Sequence, residues 1–123
     1  MNPHIPISVG ELIDKITILQ IKLEHDIKDA EIEYDALVDI YNSLVLPDSV
    51  VHLKDILYVI NSKCWITEDT KREAERNGQT FDESFIDAAR SVYYFNDLRA
   101  ATKKQINRFS NSIICEYKSH KEY

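Results

Sequence analysis

The sequence predicts an all-α domain, an antiparallel three-helix bundle of long helices. Three observations lead there: only two Gly and three Pro in 123 residues, apolar residues recurring at steps of three and four, and capping signals at the ends of the periodic runs. So little turn chemistry excludes a sandwich or barrel, and the Gly-rich phosphate loop of nucleotide-binding α/β folds is missing. With 44% hydrophobic and 29% charged residues the chain should bury a core rather than stay disordered. A domain of this size needs neither disulfide nor metal to hold it together. Residues 1–123 are read as one domain.

The elements follow in order. Ser8 with Glu11 three residues on is a capping box that starts a helix near Val9. From there Leu12, Ile16, Leu19, Leu23, Ile27, Ala30, Tyr34, Leu37, Tyr41 and Leu44 keep one face apolar, which predicts a first helix over 9–45. Two consecutive steps of four, Leu19 to Leu23 to Ile27, predict a small bend there. Pro47 breaks the run, and Asp48 or Ser49 can cap a second helix over 49–76, striped by Val50, Leu53, Leu57, Ile60 and Cys64. Asn77-Gly78 is a left-handed stop. Thr80 with Glu83 is another capping box, opening a third helix over 81–118. A 37-residue helix is about 55 Å long, so the molecule should be thin. Ile13, Ile18, Ile21, Ile32, Val38 and Ile40 widen the first helix's apolar face beyond what two neighbours can cover. A two-fold homodimer is expected, unless that helix bends and covers itself.

Polar residues interrupt the apolar seams in the middle of the bundle. The third helix's seam runs Phe85, Ala89, Val92, Asn96, Arg99, Lys103, Ile106, and the second turns polar after Trp65. Antiparallel pairing about a turn near residue 78 sets Glu68 and Asp69 within a turn of Arg90. Pairing about residue 46 brings Glu24 and His25 to the same height. The expected cluster is Glu24, Glu68, Asp69, Arg72 and Arg90, with Asn96, Asp97, Arg99 and Lys103 one to three turns along. Such groups on a buried face must pair or serve a ligand. They can form a salt-bridge network that fixes register, or the cations can clamp a phosphate or carboxylate. Carboxylate pairs, Glu11 with Asp14 or Glu24 with Glu68 and Asp69, can instead hold Mg²⁺. Within a network, Arg90 should be held by Glu68 or Asp69.

Other features point to no chemistry. Cys64 and Cys115 lie 51 residues apart and read as core thiols. His4, His25, His52 and His120 are isolated, and no catalytic residue or cofactor is assigned. Tyr93, Tyr94 and Phe95 read as core and interface packing. The net charge of −6 opposes nucleic-acid binding, and the modest basic strip of Lys103, Lys104 and Arg108 lacks an aromatic platform. With no signal segment and no apolar run of about 18 residues, a cytoplasmic protein without membrane insertion is expected.

Several stretches resemble a known pattern: Ile7-Ser8-Val9-Gly10-Glu11-Leu12-Ile13-Asp14-Lys15, then Trp65-x-x-Glu68-Asp69-x-x-Arg72, then Ala89-Arg90-x-x-Tyr93-x-x-Asn96-Asp97-x-Arg99-Ala100, with Lys104-x-Ile106-Asn107. Together they resemble an uncharacterised bacterial and phage family, a domain of unknown function, over nearly the whole chain. The resemblance departs near Ser110 to Ser112 and Cys115 to Lys118. The resemblance implies a setting in surface-glycan or sugar metabolism, with glycan-assembly enzymes as partners, and brings no activity with it; the absence of a recognisable catalytic constellation in the sequence points to a non-catalytic accessory or interaction module. The rival reading is a Mg²⁺-dependent nucleotide- or phosphate-binding enzyme resembling the all-α nucleotide pyrophosphatases. Glu11-x-x-Asp14 fits half of their carboxylate arrangement, but Arg72 stands where the other half wants an acid.

Overall fold

A computed structural model describes residues 1–78 and 82–114. Among them the only regular elements are helices: α1 (Val9–Glu24), α2 (Glu31–Ser43), α3 (Asp48–Arg76) and α4 (Glu83–Phe109), with one 3-10 turn, Lys28–Ala30, between α1 and α2. The first helix expected over 9–45 is thus two helices. α1 ends in a left-handed residue, Asp26, at φ 61°. Its N–H donates to the Leu23 carbonyl (3.1 Å) and the Ile27 N–H to the Lys22 carbonyl (3.0 Å). This closure satisfies two orphan carbonyls and turns the chain, with Asp tolerating a conformation usually left to Gly. The bend expected at Leu19 to Ile27 is therefore a reversal, and the three-helix bundle becomes a four-helix one.

Direction follows from contacts. Gly10 meets Asn107 and Asp14 meets Arg99, so α1 runs antiparallel to α4. Asp14 also meets Asn61, and the His25 ring lies 4.7 Å from that of Trp65, so α1 runs parallel to α3. α1 is the central element, touching α2, α3 and α4, whereas α2 packs on α1 and the 3-10 turn. The core cluster is Ile13, Val50, Leu57 and Ile106, with Val9, Tyr41, Leu46 and Leu53 packed against it. Ile13 and Ile21, expected to widen a sticky face, are buried, Ile13 within the core cluster of α3 and α4 residues against which Tyr41 of α2 also packs. Ile32 and Ile40 stay exposed.

The remaining ends differ in detail from expectation. α3 starts from Pro47, whose carbonyl accepts from Val50 N–H (3.0 Å), so neither Asp48 nor Ser49 supplies the cap. It stops at Asn77 with Gly78 at φ 65°, as the dipeptide predicts. The cap of α4 is Asp82, whose carboxylate accepts from Phe85 N–H (2.9 Å); Thr80 lies outside the described residues. α4 ends at Phe109, not 118. Asn111 takes the left-handed position at φ 56° and Ser112 N–H donates to the Asn107 carbonyl (2.9 Å). Residues 115–118 are outside the described residues.

The start of α1 is built into the end of α4. Ser8 Oγ accepts from Glu11 N–H (3.0 Å), Asn107 Oδ1 from Gly10 N–H (2.7 Å) and Ser112 Oγ from Val9 N–H (3.3 Å). The three first-turn amides are thereby satisfied inside the chain. Gly10 is needed for the approach, since a Cβ there would stand 2.6 Å from the Lys103 carbonyl oxygen and 2.8 Å from Asn107 Oδ1. Ala would gain about 1 kcal/mol of helix propensity over Gly, but it would force two backbones apart. Gly10→Ala is therefore expected to lower stability by about 1–3 kcal/mol, read as a reduced denaturation midpoint; an unchanged or raised midpoint would refute the close packing.

Candidate functional site

α1 carries Gly10, Asp14, Thr17 and Ile21 at steps of four, three and four, so one face turns to α3 and α4. α4 carries Arg99, Lys103, Ile106 and Asn107 on its answering face. Asp14 sits between them, 1% exposed. Arg99 grips it with two prongs, Nε to Oδ1 at 2.8 Å and Nη2 to Oδ2. From α3, Asn61 Nδ2 donates to Asp14 Oδ1 (2.9 Å) and lies 2.8 Å from Thr17 Oγ1, whose own hydroxyl donates to the Asp14 carbonyl (2.8 Å). Lys103 Nζ donates to Glu11 Oε2 (2.8 Å) and stands 3.7 Å from Asp14 Oδ2. Lys15 approaches the other Glu11 oxygen at 3.9 Å. Three helices are joined by one buried polar cluster.

Burial by itself pushes the Asp14 carboxyl up, but the hydrogen bonds from Arg99 and Asn61 and the charges of Arg99 and Lys103 outweigh it. The group is held below the ordinary carboxylate value. Beside the cluster, Cys64 Sγ lies 4.0 Å from Asn96 Oδ1. Burial and the carboxylates of Asp14 and Glu68 push its thiol up against the opposing charge of Arg99, which makes it a poor nucleophile at neutral pH.

Of the residues expected to cluster, the structure brings together Arg99 and Lys103, and it joins them to Glu11 and Asp14. The others lie elsewhere. Glu24 accepts from the Tyr58 hydroxyl at 2.6 and 2.8 Å, and that bond raises the phenol's pKa. Glu68 pairs along its own helix with Lys71 (3.7 Å) and Arg72 (3.9 Å). Asp69 lines an open cleft near the helix ends with Glu73, Asp82 and Phe85. Asn96 is exposed and Asp97 half-buried. Arg90 is exposed and has no ion pair among the described residues, contrary to the expected link to Glu68 or Asp69. The reason is rotational: nine residues separate Arg90 from Arg99, two and a half helical turns, so the two point to opposite sides of α4. Asn61 and Thr17 were missed because an uncharged side chain on an apolar stripe signals little until its partner is known.

The Glu11 and Asp14 carboxylates, candidates for Mg²⁺ in the sequence, face the ammonium of Lys103 and the guanidinium of Arg99. Among the described residues no three His, Cys, Asp or Glu side chains are gathered as metal ligands. The described residues define an all-helical fold whose first and last helices are joined by an internal ion pair. The chain belongs to a family of unknown function (DUF6165), whose profile matches residues 3–122. No curated protein and no solved structure matches it. No described helix is long and apolar enough to cross a membrane.

Two outcomes follow from the geometry. Removing Arg99 strands a buried carboxylate, so Arg99→Ala should lower stability by about 3–5 kcal/mol, while Arg90→Ala should stay within about 0.5 kcal/mol of the parent; equal losses in urea unfolding would contradict the site. Because the folded chain holds Asp14 below its unfolded pKa, the pair's contribution is full above about pH 4 and fades as pH falls through the folded value. Thermal melts should therefore show the parent's acid-side loss of stability, and Asp14→Asn should flatten that limb.

Proposed function

We propose that the protein is a non-catalytic interaction module. The observation that carries this reading is α2, a 13-residue amphipathic helix with no buried residue. Ile32 is 83% exposed and Ile40 is also open to solvent. Around them stand Glu31, Glu33, Asp35 and Asp39, with no Lys or Arg on the helix. An apolar stripe framed by acids suits an apolar groove with a basic rim, the helix-in-groove mode of protein recognition. Self-association belongs to the same reading, since further apolar side chains are exposed on α3 and α4. The resemblance set out above, to a bacterial and phage family, suggests enzymes of surface-glycan assembly as the other partners, and the sequence's lack of a signal segment suggests that they meet in the cytoplasm.

The cluster supports the same choice. An anion clamp would need Arg99 and Lys103 to release Asp14 and Glu11, and a Mg²⁺ site would need the carboxylates to release the cations. Either exchange breaks the join between α1 and α4. Calorimetric titration of the whole chain with Mg²⁺, then with nucleoside di- and triphosphates in its presence, is expected to give no measurable heat of binding. Sub-millimolar, metal-dependent nucleotide binding would overturn the proposal in favour of the pyrophosphatase-like reading.

A further inference from the structure

α3 carries a second uncovered stripe, on the side turned away from the cluster. Val51, Ile56, Val59 and Ile66 are 42 to 58% exposed and share one face. The charged residues on that face are Asp55 and Lys63, each exposed and neither with an ion-pair partner among the described residues. They lie four residues before and four after Val59. Reversing the direction of the helix about Val59 therefore exchanges the acid for the base. We infer that this stripe is the dyad seam of a homodimer: two α3 helices pack antiparallel about an axis through Val59, with Asp55 of each copy facing Lys63 of the other.

A second copy is favoured over an unrelated partner because the charge pattern is complementary to itself, as an isologous two-fold contact requires. Under that symmetry Val59 meets Val59, and Ile66 of each copy reaches toward the Val51 end of its mate. Both ion pairs form at once. A wrong register or a parallel pairing would set like charges together or leave them bare. The seam from Val51 to Ile66 is about 22 Å long and, on a helix about 10 Å wide, covers a footprint of about 220 Å², short of the roughly 800 Å² per partner of a stable interface. Association in the micromolar range is the consequence.

The inference rests on the interaction-module reading and names one of its partners. Its test is independent of the nucleotide titration. Sedimentation of the full chain from about 1 to about 500 µM, a range set by the seam's size, should show the mass rising from 14.3 kDa toward twice that value. Val59→Arg should abolish the rise with the circular dichroism unchanged, since the side chain is exposed. Asp55→Lys and Lys63→Asp should each weaken the dimer about tenfold or more, and the two together should restore it. A monomer throughout would overturn the inference and leave the α2 reading standing. A dimer indifferent to Val59→Arg, or single charge changes not rescued by the double exchange, would reject this seam.

Discussion

A carboxylate taken out of water must find its counter-charge and its donors inside the protein, and at Asp14 it takes three helices to supply them. Arg99 brings the charge from α4, with Lys103 of the same helix 3.7 Å away, and Asn61 brings a donor from α3 that also meets Thr17 of α1. None of these can be supplied until α1, α3 and α4 lie in the right register. The cluster is thus satisfied in one arrangement only, which is the best-attested use of buried ionic groups. Hydrophobic contacts of Ile13, Leu57 and Ile106 drive the same helices together without specifying register so narrowly. One turn along, Gly10 lets α1 approach α4 closely enough for Asn107 to cap it.

Much of this was legible in the sequence. Ser8 begins α1, Pro47 separates α2 from α3, and Asn77-Gly78 ends α3, because each acts through its own backbone chemistry within a few residues. The reversal after His25 was not. Apolar spacing of three and four continues on both sides of it, and the stop is an Asp in a left-handed conformation where Gly is the usual signal. The irregular step from Leu19 to Ile27 marked the place without disclosing the size of the turn.

That one reversal also decides which polar residues meet. With a single helix over 9–45, Asp14 would lie near the far tip of the α3–α4 hairpin; folded back at Asp26, it lies level with Asn61 and Arg99. Arg99 and Lys103 stood out as charges in an apolar seam, yet their partners were hidden until the chain direction was known. Residues such as Arg90, Glu68 and Arg72 were misplaced for another reason. Pairing arithmetic gives height along a bundle and says nothing of rotation about the helix axis, and Arg90 faces away from the cluster.

An interior closed by its own charges and a surface left open in apolar stripes are two sides of one design. The charges that join α1 to α4 face one another, while the exposed faces of α2 and α3 are carried by helices that both pack against α1. The account therefore stands on the Asp14–Arg99 pair, and a double-mutant cycle in urea measures that pair directly. Asp14→Ala, Arg99→Ala and the combination should show a coupling of about 2 kcal/mol or more, the double variant little worse than the worse single one. Losses that simply add to within about 0.5 kcal/mol would contradict it.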